Sequence, residues 1–165
     1  MCYDMVNSLQ IRNPLQMADL TRQEVIKLLA TGQRRIRLRG VDLSGLDLSY
    51  LDLSDTDLAY ANLRQTNLAH ANLRGAILYG ARLSTAVLRK AILRSADLID
   101  ADLSDADLNE ADLGHAVLCG AGLAGADLTA ARWNGAQFDG ARPDAATIWP
   151  ADFDAREHVL FAANE

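Results

Sequence analysis

Three histidines and one mid-chain cysteine are the residues of this sequence best suited to acid–base, metal or nucleophilic chemistry. They are His70, His115, His158 and Cys119. A metal site needs several ligands within a few ångströms of one another, and a reactive thiol needs an electropositive, accessible setting. Carboxylates are also numerous, but a general acid must be partly buried to hold its proton near neutral pH. Whether these conditions are met depends on how the chain positions the residues.

A five-residue repeat from Ile36 to Arg142 controls that positioning. Leucine recurs at every fifth residue from Leu38 to Leu128, and Trp133 and Phe138 take the next two such positions. Five residues of helix turn through about 500°, so a helix would spread these leucines around every face. A flat strand would place successive leucines on opposite sides, because an odd spacing alternates in a strand. We therefore expect a chain that bends once per pentapeptide and coils around its leucines.

The residues within each pentapeptide also match a known pattern. Residues 61–65, 71–75 and 126–130 read ANLRQ, ANLRG and ADLTA. These segments resemble the A(D/N)LXX signature of pentapeptide repeat proteins, and the resemblance covers about two-thirds of the chain. It implies an all-β solenoid, a right-handed quadrilateral β-helix with 20 residues per coil and about five coils in this chain.

Aspartate spacing offers a separate test of the coil length. A coil of 20 residues would stack only one pair of the aspartates that precede a leucine, Asp107 on Asp127, whereas a 15-residue coil would stack three pairs. Since like charges directly opposite are unfavourable, the 20-residue coil is preferred over the 15-residue one. A 25-residue coil also stacks one pair of aspartates, so this test does not distinguish it from the 20-residue coil. The 20-residue coil further predicts three stacks of opposite charge: Arg37 with Asp57, Arg82 with Asp102, and Arg132 with Asp112.

Helical caps are predicted at both ends of the repeat. Thr21 and Glu24 have capping-box spacing ahead of an apolar stripe, which predicts a helix from Arg22 to Ala30 over the first coil. Pro143 interrupts the repeat, and Asp154 with Glu157 predicts a short C-terminal helix. We divide the chain into an N-terminal segment and capping helix (1–35), the repeat (36–142) and a C-terminal cap (143–165).

Composition limits the kinds of partner. The 165 residues are 50% hydrophobic, enough for one folded unit, and only 5% aromatic. A net charge of −6 argues against direct binding of nucleic acid, which favours a basic surface. Cys2 and Cys119 cannot form a disulfide framework, and we find no secretory signal or run of apolar residues long enough to cross a membrane. The expected location is cytoplasmic.

In the 20-residue coil the candidate chemical residues do not converge. His70 and His115 would lie on different corners two coils apart, which argues against a shared metal ion. Cys119 would face outward and alone, and the glycines occupy corners rather than a phosphate-binding loop. We predict no catalytic residue, no metal and no cofactor, and hence that the protein is not an enzyme.

A band of basic residues divides the outer surface. Residues 41–60 and 101–120 are acidic, and the residues between them are basic. We call this band the basic girdle; its members are Arg64, Arg74, Arg82, Arg89, Lys90 and Arg94. Alternating bands would avoid like-charge stacking, or the girdle could dock an acidic partner.

A second feature of the surface is apolar. Where most pentapeptides place Asp, Asn, Ser or Arg, one face places larger apolar residues. We call them the apolar patch: Ile77, Tyr79, Ile99, Val117 and Cys119, with Tyr60 at the adjoining corner. An exposed group of this kind is typical of a contact surface, although Ile and Val are also good strand formers.

These features predict a non-enzymatic protein-interaction or scaffold module with a rigid four-sided surface. Its partner is an unidentified protein or a second copy of the chain. The family resemblance implies an alternative, because some pentapeptide repeat proteins imitate DNA, bind DNA gyrase and protect it from quinolones. This chain departs from that pattern in its basic girdle, in centres of Leu rather than Phe, and in having no loop between repeats.

Overall fold

The computed structural model describes residues 20–31 and 35–154. Its first element is helix α1, Arg22–Leu29. The Thr21 hydroxyl accepts the Glu24 N–H at 3.3 Å, and the Thr21 N–H donates to the Glu24 carboxylate at 2.8 Å. The capping box is therefore confirmed, and the helix ends one residue before the predicted boundary.

Beyond the helix the chain forms a ladder of isolated parallel bridges. Each bridge joins residues 20 apart, from Arg37 with Asp57 to Gly122 with Arg142. The 20-residue register is thus confirmed, and so are the three predicted stacks of arginine on aspartate. One bridge occurs every five residues, so each 20-residue coil has four faces. We number the faces by their central residues: face 1 holds Leu38, Leu58, Leu78, Leu98, Leu118 and Phe138, and faces 2, 3 and 4 begin at Leu43, Leu48 and Leu53.

The ladder continues past the predicted end of the repeat. Asp127 bridges to Ile148, 21 residues further on, so one extra residue is accommodated in the last coil. The Asp144 carboxylate closes this longer turn by accepting the backbone N–H groups of Gly125 and Ala146, both at 2.9 Å. Pro143, which has no N–H to donate, marks the point where the five-residue spacing changes.

A tight turn follows each central leucine. The leucine carbonyl accepts the N–H three residues ahead, as in Leu58 to Ala61 at 3.0 Å. Every fifth residue from Gly40 to Gly140 sits at this corner with a positive φ of 54° to 70°. The predicted role of the corner glycines is confirmed, because glycine adopts this conformation without steric cost. Many corners hold other residues, including the β-branched Thr85 at 58°, which store backbone strain there.

The interior is filled by the leucines and by the residue two positions before each of them, which is a larger aliphatic residue up to Leu51 and a small one from Thr56 onward. Leu58 to Leu123 and Ala71 to Ala126 are almost completely inaccessible at these positions. Alanine fits because a larger side chain on every coil would exceed the space left beside the leucine column. Thr56 and Thr66 also take this position, and the buried Thr66 hydroxyl donates to the Leu43 carbonyl at 3.0 Å.

Outside, the residue before each leucine has a structural role that the sequence analysis missed. An aspartate there accepts the backbone N–H two residues ahead, as in Asp42 from Ser44 at 2.9 Å and Asp112 from Gly114 at 3.1 Å. This is an Asx turn, which supports the corner from outside. Asparagines at this position also donate their side-chain N–H to the preceding coil. The carboxylates of Asp42, Asp47 and Asp52 accept these bonds from Asn62, Asn67 and Asn72.

Different groups contact the two ends of the described ladder. Val25 of α1 is fully buried against the core, and the Arg22 guanidinium donates to the backbone carbonyls of Asp47 and Ser49. At the other end four aromatic rings contact one another: Trp133, Phe138, Trp149 and Phe153. The predicted C-terminal helix and the start of the chain lie outside the described residues.

Candidate interaction surface

The apolar patch lies on face 1, but it is divided by charge. Ile77 and Val117 each bridge to Asp97, so a carboxylate separates these two apolar side chains in the row before the leucines. In the row after the leucines, Tyr79, Ile99 and Cys119 follow one another without interruption. The five side chains are half-buried by their neighbours. Face 1 thus presents one continuous apolar row beside a mixed one.

Tyr60 extends this surface at the corner and is 50% exposed. Its ring meets Tyr79 edge to face, with centroids 5.2 Å apart, and the Arg39 guanidinium lies 4.8 Å above its centre. Gly80 leaves the space for the ring, because a Cβ there would come within 2.8 Å of Tyr60 Cε1. A hydrogen bond with Tyr60 raises the pKa of the Tyr79 hydroxyl. The two tyrosines and Arg39 form one connected cluster.

Cys119 lies at the C-terminal end of the apolar row. Its thiol is 3.9 Å from an Asp139 carboxylate oxygen. Burial and this carboxylate raise the pKa of Cys119, which keeps the sulfur protonated. The position therefore favours a packing role over nucleophilic chemistry.

The basic girdle lies on the other three faces, and much of its charge is neutralised. Lys90 pairs with Glu110 at 3.4 Å and Arg94 with Asp112 at 3.3 Å, while Arg89 pairs with Asp107. Arg64 reaches Asp102 at 3.9 Å and donates to the Ser84 hydroxyl. Among the described residues, Arg74 and Arg82 have no carboxylate within 4 Å. The girdle is therefore coupled mainly to the acidic band that follows it.

The histidines have separate environments. His70 stacks on Tyr50 with ring centroids 4.7 Å apart, at the side of an open cleft of about 350 Å³ on face 3 that also contains Arg89, Lys90 and Glu110. The 20-residue spacing of two aromatic corner residues was the available signal for this stack. His115 lies on another corner over Gly135, and His158 is outside the described residues.

Two searches of the described residues bear on metal and membrane association. No group of three or more His, Cys, Asp or Glu side chains is placed to hold a metal ion. No described helix has the length and apolar character needed to span a bilayer.

This chain is similar to solved pentapeptide repeat proteins from a cyanobacterium and a plant. A pentapeptide repeat protein (Rfr23) from the cyanobacterium Cyanothece 51142 is 28% identical, with a TM-score of 0.69 over 76% of this chain and 99% of its own. A pentapeptide repeat protein from the Arabidopsis thaliana thylakoid lumen is 35% identical, with a TM-score of 0.48 over 59% of this chain and 65% of its own.

A trypsin-treated form of QnrB1, a plasmid-mediated fluoroquinolone resistance protein, is 20% identical over 66% of this chain and 78% of its own, with a TM-score of 0.29. No curated protein matches this chain significantly.

The family model described as "Pentapeptide repeats (8 copies)" matches residues 36–75, 66–105 and 96–132, which together exceed half of the chain. These matches coincide with the bridged ladder and its five-residue turns. Family members are right-handed quadrilateral β-helices, generally structural or interaction proteins rather than enzymes. This chain belongs to the pentapeptide repeat family.

Proposed function

We propose that this protein is a non-enzymatic interaction module that binds a protein partner through face 1. The proposal rests on one observation. The apolar row of Tyr79, Ile99 and Cys119 runs along the outside of a solenoid whose outward positions are otherwise mostly polar.

The repeat itself supplies rigidity. Backbone hydrogen bonds of 2.7 to 3.2 Å join the coils on all four faces, and the apolar side chains stand on this fixed frame. A surface that is already ordered loses little conformational entropy on binding. Face 1 therefore has the properties of a preorganised docking surface.

The solenoid in this proposal has about five coils, closed at its first coil by α1. The burial of Val25 and the Arg22 contacts to the Asp47 and Ser49 carbonyls support that role. In interior coils the carbonyls at the corresponding positions accept backbone N–H groups of the preceding coil. Arg22 supplies side-chain N–H groups in their place, which blocks pairing at an open edge.

A substitution on face 1 tests the proposal. We expect the double variant Ile99→Asp, Val117→Asp to lose partner binding, because two carboxylates would be desolvated in the interface. The measurement is quantitative affinity capture from the source organism's soluble extract, with wild type and variant as parallel baits. The matched control is Ile92→Asp on face 4, where Ile92 is 41% exposed.

Unchanged far-UV circular dichroism must accompany the loss. If every specific partner of the wild type is retained equally by the face 1 variant and the control, face 1 is not the binding surface.

Gyrase binding by DNA mimicry is the second candidate. Hydrogen bonds from Ser44, Ser49 and Ser54 hold the pKa values of Asp42, Asp47 and Asp52 below their usual range, so this acidic band is ionised at neutral pH. The ion pairs of the girdle, however, partly neutralise the second acidic band. Gyrase binding is therefore the second candidate. A gyrase supercoiling assay that shows no effect of micromolar protein would exclude it.

A further inference from the structure

We propose that the partner of face 1 is a second copy of this chain, bound face to face with the two solenoids antiparallel. This inference rests on the proposed function and specifies its partner. It follows from the order in which charged, apolar and small residues succeed one another along face 1.

The register fixes what a second copy would meet. We place a two-fold axis parallel to the bridged segments, between the coils of Leu78 and Leu98. It sets each coil of one copy against a coil at the opposite end of the second copy. In the row after the leucines it places Arg39 opposite Asp139 of the second copy. It also places Tyr79 opposite Ile99, and Ala59 opposite Cys119. Opposite charges then meet at both ends of the row, and apolar side chains meet between them.

The flanking corners are complementary under the same operation. Tyr60, the exposed ring, faces Gly120 of the second copy, beside the Asp100 carboxylate that lies against this glycine. On the other corner Asp55 faces His115. A phenol hydroxyl can then donate to a carboxylate on one side of the face, and an imidazole N–H can donate to a carboxylate on the other.

The row before the leucines is less favourable but tolerable. It sets Asp57 opposite Val117 and Ile77 opposite Asp97. Both carboxylates already accept a backbone N–H at 3.1 Å, from Ala59 and Ile99 respectively, which reduces the cost of removing them from water.

The alternative two-fold axis, parallel to the solenoid, is disfavoured by charge. It would set each coil against the same coil of the second copy. The row before the leucines in one copy would then face the row after the leucines in the other. Arg37 would then lie opposite Arg39 at one end of the interface. Like charges in this position oppose association, which selects the antiparallel arrangement.

The size of the face predicts a weak dimer. Five steps of about 4.8 Å between the six layers of face 1 give a height of roughly 24 Å. A face of this height that is about three extended residues, or roughly 10 Å, wide is smaller than the roughly 800 Å² per partner of a standard stable interface. We therefore expect a dissociation constant above about 1 µM, so that dimers form only in concentrated protein.

A charge swap tests this geometry. Sedimentation equilibrium of the full chain, from about 5 to 500 µM, would compare wild type with Arg39→Glu, Asp139→Arg and the double variant. Each single change places two like-charge contacts in the dimer, and we expect it to weaken association by at least about 10-fold. The double variant restores opposite charge at both ends and should return to within about 3-fold of wild type.

The control is Arg74→Glu on face 4, which makes the same charge change at an exposed residue away from the interface and should leave association unchanged. Urea unfolding of each variant confirms that the fold is intact. A wild type that stays monomeric to 500 µM, or a double variant as weak as the single ones, overturns the antiparallel dimer.

The outcomes also separate this inference from the proposed function. If the wild type is monomeric but the Ile99→Asp, Val117→Asp variant loses a captured partner that the Ile92→Asp control retains, the dimer is wrong and the interaction module stands. If the chain is monomeric and capture is unchanged as well, both are wrong.

Discussion

The coil of residues 41–60, called the first coil below, and the coil of residues 76–95, called the second, have similar leucine columns but different outer surfaces. In the first coil the position before each leucine holds Asp42, Asp47, Asp52 or Asp57, and each carboxylate accepts the N–H two residues ahead. In the second coil the same position holds Ile77, Arg82, Val87 or Ile92, whose side chains have no acceptor to offer.

The difference shows that the outward position is not needed for coiling. Both coils make the same inter-coil backbone bonds, such as Leu48 to Asn67 and Leu88 to Asp107, both at 2.7 Å. Their central leucines are equally inaccessible. The consensus aspartate therefore adds local support to a corner that the leucine and the backbone already determine.

Losing that support leaves the second coil free to carry other side chains. Ile77 and Tyr79 contribute to face 1, and Arg82, Arg89 and Arg94 to the girdle. The first coil is specialised for stable corners, and the second exchanges some of that stability for surface chemistry.

The largest expected effect is in the interior, where the two coils should behave alike. Leu48→Ala and Leu88→Ala each remove a side chain that is 0% exposed, and we expect each to lower the free energy of unfolding by about 2–5 kcal/mol. Urea denaturation measures both.

The two losses should agree within about 1 kcal/mol, because both leucines lie on face 3 and are fully buried, although Leu48 is next to α1 on the side where Leu88 has a coil. A much smaller loss in the second coil would show that its interior is packed more loosely than its surface differences imply.

A smaller effect is expected at the corners. Gly45→Ala and Gly80→Ala both place a Cβ at a positive φ, 68° and 59°, which costs about 1–2 kcal/mol in either coil. At Gly45 the new Cβ meets nothing within 4 Å, whereas at Gly80 it comes within 2.8 Å of the Tyr60 ring. Gly80→Ala should therefore be the more destabilising of the two.

Thermal unfolding ranks the two variants. Gly80→Ala should also displace the Tyr60 ring from Tyr79, visible as a change in tyrosine near-UV circular dichroism. Equal losses, with the tyrosine signal unchanged, would mean that the ring moves away without cost.

The leucine repeat was sufficient to predict much of this fold. An odd five-residue spacing excludes both helix and flat strand, and the family resemblance supplied the 20-residue coil that the bridges confirm. Thr21 and Glu24 located the N-terminal helix because a capping box depends on local contacts. Local chemistry and strict periodicity are the features that sequence reports best.

Side-chain direction was harder to predict. The register correctly stacked Arg82 on Asp102, yet it is Arg64, one coil further away, that pairs with this carboxylate. A long side chain chooses among several carboxylates within reach, and periodicity does not encode that choice. The 20-residue spacing also placed Asp97 between Ile77 and Val117, an interruption that inspection of the apolar residues alone overlooked.

Substituting the residue before the leucine should change the free energy of unfolding by less than the interior and corner substitutions do. Asp52→Ala removes acceptors for Ser54 N–H at 3.1 Å and Asn72 Nδ2 at 2.9 Å, and we expect a loss of about 0.5–1.5 kcal/mol. The reverse change, Ile92→Asn on the same face, adds an acceptor for the Arg94 N–H. It should raise the free energy of unfolding by a few tenths of a kcal/mol.

Urea midpoints measure both changes, and Ile92→Ala is the control that removes the apolar side chain without adding an acceptor. If Ile92→Asn is no more stable than Ile92→Ala, the Asx turn adds nothing at this corner.

The smallest effect is a pH dependence that arises in the coil of residues 41–60. Hydrogen bonds from Ser44, Ser49 and Ser54 lower the pKa values of Asp42, Asp47 and Asp52 from 3.8. A carboxyl group with a lowered folded-state pKa binds its proton more readily when unfolded. Its contribution is therefore complete above the unfolded pKa and is lost as the pH falls through the folded one. Stability from these three groups should be constant from pH 7 to pH 5 and should decline below about pH 4.

The triple variant Asp42→Asn, Asp47→Asn, Asp52→Asn separates this charge effect from the turn itself. Asparagine keeps a side-chain oxygen for the Asx turn but has no proton to bind in this range. The decline in urea midpoint between pH 5 and pH 3 should therefore be smaller in the triple variant than in the wild type, while the corners stay intact. An equal decline would assign the acid sensitivity to other carboxylates, such as Asp144, whose pKa the hydrogen bond from the Gly125 N–H also lowers.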